Sequence, residues 1–245
     1  MRTVITHFYN EEYLLPRWLK HHKKYFDFGI LIDYASTDNS VAICKEICPH
    51  WQIFPSGNAD FDSSEADHEV MFYERQLTGW RIALTVTEFL VGDLDKMMHT
   101  NPERSQWFIP GIRFTKWDPT GSFDDRPLWE QQSIGVSYDT NPFAHQCRSL
   151  HNFNDIEYTP GRHFLPHNTT DALVLHYAHC IVGEPMMKRR LQIQHRMSMS
   201  DKEKGLGSHH FFDVNGLNAE NLRIMHDQFI SIGETDCSDY IRMVT

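Results

Sequence analysis

Three polar clusters, each placed in or just after an apolar run, carry the side chains best suited to gripping a phosphorylated ligand. Asn10-Glu11-Glu12 follows the run Arg2 to Phe8, Asp33 to Ser40 follows Phe28 to Ile32, and Thr85, Thr87 and Glu88 lie within Trp80 to Leu90. Carboxylate and carboxamide oxygens accept hydrogen bonds from a base or a ribose, which suits Asp33, Asn10 and Glu11 to that task. Asp38 has two readings: a direct ligand contact, or a cap for the helix that carries Val41, Ile43, Cys44 and Ile47. Arg75 and the stretch Lys188-Arg189-Arg190 supply cations for a phosphate, although the stretch also suits a solvated helix face. His176, beside Tyr177, offers a nitrogen to a diphosphate or a metal ion. Asp124 and Asp125, adjacent in Gly121 to Pro127, suit general-base work; a turn closed by an Arg126 salt bridge explains them equally.

These residues need a scaffold, and the first ninety positions alternate strand and helix patterns. Leu14, Leu15, Trp18, Leu19 and His22 recur at helical spacing between the first two apolar runs, with Pro16 near the helix start. Trp51 to Phe54 reads as a third strand, Glu65 to Thr78 as a helix, and Trp80 to Leu90 as a fourth, buried strand. Such alternation predicts right-handed crossovers and a parallel sheet, whose ligands sit beyond the carboxyl ends of the strands. That places Asn10 to Glu12, Asp33 to Asp38 and Thr85 to Glu88 on one rim. Asn101 to Asn168, rich in Pro, Gly, Trp and Asp, predicts short strands and long loops. Beyond it come an apolar segment from Asp171 to His179, a basic helix from Glu184 to Ser200 and an amphipathic helix from Ala219 to Ile232. The expected division is 1–100, 101–180 and 181–245, the last a helical segment.

The net charge of −10 speaks against a general nucleic-acid or anionic-membrane binder, while leaving room for a local phosphate site. The chain opens on no long apolar stretch, so neither leader nor membrane anchor is expected, and the five scattered cysteines fit reduced thiols in a cytoplasmic setting. His163, His167, His176 and His179 lack the recurrent spacing of a structural zinc site. No glycine-rich phosphate loop and no Gly-x-Ser-x-Gly elbow is present, which removes the common nucleotidyl-transfer and hydrolase signatures.

Three ordered blocks resemble family-2-like glycosyltransferases. They are His7-Phe8-Tyr9-Asn10-Glu11-Glu12 with Trp18-Leu19-Lys20-His21-His22, then Asp33-Tyr34-Ala35-Ser36-Thr37-Asp38-Asn39-Ser40, then Trp80 to Leu90. Leu173-Val174-Leu175-His176-Tyr177 and the basic stretch after it are similar to late motifs of the same group. The resemblance implies an α/β fold of the GT-A type, a mainly parallel sheet flanked by helices, with an irregular acceptor-binding half. It also implies an inverting transfer of a sugar from a nucleoside diphosphate sugar to a glycan or protein hydroxyl. Phe8, Asn10, Glu11, Asp33, Ser36, Asp38, Thr85, Thr87 and His176 are then donor contacts, with Arg75, Lys188 and Arg189 as cations. Glu88, Asp124 and Asp125 are the candidate catalytic carboxylates.

The chain departs from this pattern where the family places two metal-binding carboxylates, because Thr85 and Thr87 stand there. Neutral hydroxyls are poor ligands for Mn²⁺ or Mg²⁺. Three readings follow: a metal-independent transferase using cationic side chains, a metal moved to Asp93-Leu94-Asp95, or a catalytically silent nucleotide-sugar or carbohydrate-binding domain. Asp93 also suits the N-terminus of the next helix.

Overall fold

The computed structural model describes residues 1–117, 123–137, 147–158, 161–164, 166–182, 184–206 and 234–245. The helix expected over Ala219 to Ile232 lies outside the described residues, as do the side chains of His179 and Arg190.

Alternation of apolar residues builds the first sheet. In β1 (Arg2–Phe8), Val4 and Ile5 face opposite sides, and each side meets its own core. Val4, Phe8 and Leu31 pack with Trp18 and Leu19 of α1 (Leu15–His22) and Cys44 of α2 (Ser40–Ile47). Ile5, Ile30, Ile32 and Ala83 meet Val70 of α3 (Ser63–Glu74) on the other face. Between the helices run β2 (Phe28–Asp33), β3 (Gln52–Pro55) and β4 (Trp80–Ala83). Trp51 lies across Gly29 of β2, where a Cβ would stand 2.2 Å from the indole, so glycine is required there.

The first sheet has the order β3-β2-β1-β4-β9-β6, with β1 to β4 all parallel. Antiparallel β9 (Arg148–His151) and β6 (Gln106–Ile109) extend it. A second sheet has the order β11-β8-β7-β10-β5. It comprises β5 (Glu88–Gly92), β7 (Gly111–Trp117), β8 (Ile134–Ser137), β10 (Ala172–Val182) and β11 (Thr235–Asp236), mostly antiparallel. Strands from 101–180 thus enter both sheets. The fold is mixed α/β, two sheets flanked by helices.

Two expectations need correction. Trp80 to Leu90 is two strands in two different sheets: Leu84 N–H still donates to Ile5 O, then Glu88 N–H donates to Thr85 O and closes a turn. Residues 81–84 and 86–91 are buried alike, so the hydrophobic run carries no mark of the exchange. After the short α5 (Leu128–Gln131), the basic helix α6 spans Glu184–Arg196 and stops there, with α7 (Met199–Glu203) beginning after the Ser198 cap. Asp93 caps α4 (Leu94–Thr100) by accepting from Lys96 N–H at 2.8 Å, and Asp95 pairs with Arg2 at 3.1 Å. The two carboxylates of Asp93-Leu94-Asp95 therefore do separate structural work.

α1 also ties the two sheets together. β5 is an edge of the second sheet, and Leu90 there offers its outer backbone groups to the helix. His21 Nε2 lies 2.6 Å from Leu90 O, and Leu90 N–H donates to His22 Nε2 at 3.2 Å. His22 Nδ1 faces Trp18 O at 2.9 Å, which fixes it as the donor and Nε2 as the acceptor. Both rings are neutral in this arrangement. All five cysteines are buried and none is in a disulfide, and no described helix is long and apolar enough to cross a membrane.

Candidate active site

β1 and β4 are neighbours, while β2 and β3 extend the sheet the other way from β1. The connections therefore reverse direction between β1 and β4, and a crevice opens beyond their carboxyl ends at such a point. His7 and Phe8 end one wall and Leu84 to Glu88 the other.

The loops after β1 and β2 are locked to each other. Asn10 Oδ1 accepts from Thr37 N–H at 2.7 Å and Asp38 N–H at 3.2 Å, while Asn10 N–H donates to Ser36 Oγ at 3.0 Å. Glu11 N–H donates to Ser40 Oγ at 2.8 Å, and Glu12 N–H to Asp38 Oδ2 at 3.1 Å. Asp33 Oδ1 accepts from Ser36 N–H at 2.9 Å. The N-cap of α2 is Asn39, and Asp38 works one position earlier, accepting from Ser40 N–H at 2.9 Å. Asn10 (φ 50°) and Ala35 (φ 59°) hold left-handed backbone, so this interlock shapes both loops. Replacing Asn10 by Ala removes two acceptor contacts and leaves a Cβ residue in that region. A loss of about 2 kcal/mol is expected. Urea denaturation checks it, and a change under about 0.5 kcal/mol would deny the interlock its role.

On the β4 side, Thr85 Oγ1 and Thr87 Oγ1 lie 2.9 Å apart and bond each other. Glu88 is fully buried. Its Oε1 takes Arg148 Nε at 2.8 Å and Nη2 at 2.6 Å, and its Oε2 takes Thr85 N–H at 2.8 Å. Burial alone would push this carboxyl up; the Arg148 charge and bonds, with the Thr85 amide, outweigh it and hold the group below its ordinary value. Two neutral hydroxyls and a carboxylate already bound on both oxygens do not fit a hard divalent cation. Among the described residues no group of three His, Cys, Asp or Glu side chains is arranged to hold a metal ion.

Arg148 continues inward: its Nη1 donates to Gly161 O and to Arg162 O. Arg162, itself at φ 57°, pairs with Asp67 of α3, and Gly161 N–H donates to the other Asp67 oxygen at 2.8 Å. This belt presents two buried guanidinium groups behind the crevice. Burial first, and then Arg162, Arg148 and Arg189, lower His7 to about 3, while among the described residues its Nδ1 has no partner. Burial and Arg148 lower His163 to about 2. Both imidazoles are neutral at physiological pH, so the fixed positive charge there belongs to arginine.

His176 pairs in register with Glu88 on one side and Arg113 on the other, so these three side chains share one face of the second sheet. Arg189 of α6 sets Nε against Glu11, 2.6 Å from Oε1 and 2.8 Å from Oε2. Lys188 is exposed on the same helix, and Phe8 buries its ring in the core. Asp124 is exposed and bonded to Arg126 Nη2 at 2.8 Å; its carbonyl accepts from Arg17 in the first turn of α1. Among the described residues Asp125 is exposed and makes no side-chain bond. Arg75 stands apart, at the C-terminal end of α3. A crossover helix runs antiparallel to its strands, so that end lies at the amino side of the sheet, away from the crevice.

Arg148, Arg162 and Asp67 were not among the residues singled out from the sequence, and His7 entered only as the first residue of a resemblance block. The one available signal was charge inside a strand: Arg148-Ser149-Leu150-His151 is buried throughout.

No family model matches the chain, and no curated protein matches it. Among solved structures, the chain is similar to S. aureus TarS 1-349 in complex with UDP-GlcNAc at 12% identity and a TM-score of 0.39, over 100% of this chain and 81% of that one. It is also similar to the mannosyltransferase PcManGT from Pyrobaculum calidifontis in complex with GDP-Man and Mn2+, at 9% identity and a TM-score of 0.40, over 99% and 72%. Likeness of this degree carries no argument about activity.

Proposed function

We propose that the chain transfers a sugar from a nucleoside diphosphate sugar to a hydroxyl of a glycan or protein, with inversion and without a divalent cation. The observation that carries this reading is the reversal of connections between β1 and β4, where sheets of this kind hold their ligands. There the interlocked loops holding Asp33 and Asn10 meet a wall whose positive charge comes from Arg148, Arg162 and Arg189. Asp33, with Oδ2 outside the loop bonds, accepts from the base or ribose. The amino groups of Arg189 stabilise the diphosphate as it leaves, an electrostatic task that a preorganised site performs without reorganisation, while Arg148 and Arg162 stay bonded to Glu88 and Asp67 behind them. The acceptor oxygen bonds to the anomeric carbon while the bond from that carbon to the β-phosphate oxygen breaks and its electron pair leaves with the nucleotide. The acceptor's proton passes to Asp125. Asp124 is the poorer base, because the bonds from Arg126 hold its carboxyl below the usual range. Glu88 serves by holding Arg148 and the Thr85 turn.

The test is a thermal-shift titration with UDP-, GDP- and dTDP-sugars and CMP-sialic acid, with Mn²⁺ or with EDTA. One nucleoside diphosphate sugar is expected to stabilise the protein equally in EDTA; stabilisation by none sinks the reading, and strict Mn²⁺ dependence sinks its metal-free part. Asp33→Ala is expected to weaken that donor by about 1–3 kcal/mol by calorimetry. Unchanged affinity in the folded variant removes Asp33 from the donor site. The absence of anionic ligands at Thr85 and Thr87 also favours a second reading, a silent nucleotide-sugar binder. Stabilisation with no release of nucleoside diphosphate would select it.

A further inference from the structure

We infer that Glu11 is a positioning residue whose work is to hold Arg189 over the crevice, with the free edge of that guanidinium turned to an incoming diphosphate. The inference rests on the proposed donor site and names the partner of one of that site's cations.

Glu11 is fixed twice through its backbone. Its N–H donates to Ser40 Oγ at 2.8 Å, and its carbonyl accepts from Leu14 and Leu15 as α1 begins. Its side chain is almost buried, and both oxygens lie within bonding distance of Arg189 Nε. A guanidinium has five N–H donors in a fixed fork. Engaged through Nε alone, Arg189 keeps both amino groups, and among the described residues none accepts from them. Its contact with Glu11, in the loop after β1, places the guanidinium at the carboxyl end of that strand.

The rest of α6 is held across the same mouth. About 10 Å along the helix, Arg196 Nη2 donates to Tyr34 O at 3.1 Å, and its guanidinium lies 4.6 Å from the Tyr9 ring centre. Arg196 O accepts from Phe61 N–H at 2.7 Å. One helix therefore touches the loops after β1 and β2 at two points. A carboxylate that merely neutralised this arginine would take the bidentate fork on Nε and Nη2. The observed end-on contact orients the group without occupying it.

The experiment is a double-mutant cycle on the full chain with Glu11→Ala, Arg189→Met and both together. UDP, GDP and inorganic pyrophosphate are titrated in EDTA, uridine and guanosine serve as phosphate-free controls, and hydrogen exchange of residues 184–196 is followed without ligand. Each single variant is expected to weaken the bound diphosphate roughly tenfold or more, the double variant no further, and the nucleoside controls not at all. Exchange in α6 should rise in all three. Glu11→Gln, which keeps one acceptor for Nε, should recover part of the affinity and covers the case where the alanine variant fails to fold. Independent, additive losses would show Glu11 acting on the nucleotide directly and overturn the inference. Faster exchange in α6 with unchanged diphosphate affinity would overturn it too, leaving a structural latch. If the unaltered protein binds none of the three diphosphates, the donor-site reading itself falls, and this inference with it.

Discussion

Arg148→Met is expected to lower stability by about 3–5 kcal/mol, because it strands a charged Glu88 in the interior. The two side chains are 4% and 1% exposed, so no water can take over the lost bonds. The same change frees Gly161 O and Arg162 O, loosening the segment that Asp67 holds from the other side. A buried pair need not be worth that much in net terms, since bringing both charges out of water is itself costly. The double variant Arg148→Met with Glu88→Leu separates these ideas. It is expected to recover much of the single-variant loss, because no charge is then left alone. Chemical denaturation of the three variants measures the difference. A loss under about 1 kcal/mol for Arg148→Met would mean that Glu88 finds another partner, and the buried belt would lose its structural standing.

Acid is expected to unfold the protein well before its surface carboxylates are all protonated. Burial lowers His21 and His151 to about 4, His7 to about 3 and His163 to about 2, from an ordinary 6.5. His22 moves the same way, through burial and the neighbouring His21. Between pH 6.5 and about 4 the unfolded chain binds protons at these rings and the folded chain does not, so the unfolding free energy falls as pH falls. Each group held near 4 removes about 3 kcal/mol by the time pH 4 is reached. Glu88, held low, loses its contribution in the same direction as pH drops through its folded value.

Glu74 opposes them. Burial raises its carboxyl to about 7, so it costs stability at neutral pH, and acidification removes that cost. One carboxyl offsets roughly one histidine, so acid destabilisation wins. The geometry agrees: a proton on His22 Nε2 would face Leu90 N–H, which now donates to that nitrogen. The urea midpoint should therefore fall steeply between about pH 7 and pH 4.5. His21→Gln keeps a donor for Leu90 O without titrating and should flatten the slope. A midpoint constant across that range would contradict the assignment of these rings as buried and neutral.

Much of the parallel half was legible in the residues. Val4, Ile5, Leu31 and Ile32 alternate across two faces, and Leu15, Trp18, Leu19 and His22 share one helical stripe, so local pattern alone dictated β1-α1-β2-α2-β3 and its rim. Asn10, Asp33 and Ser36 were also visible as a group, because polar residues at strand ends have few other tasks. Their bonding to one another was not visible, since carboxamide and hydroxyl groups serve a ligand and a neighbouring loop with the same atoms.

What tertiary structure decided was long-range. The exchange between sheets at Thr85 to Glu88 left no trace, because a run buried in one sheet has the same composition as a run buried in two. Arg148 reaches Glu88 over 60 positions and Arg189 reaches Glu11 over 178. Nothing local in either arginine announces which carboxylate it will meet. Pattern selects which face of an element is buried; only the assembled sheets select which charges are brought within bonding distance, and that selection sets Arg148, Arg162 and Arg189 against Glu88, Asp67 and Glu11.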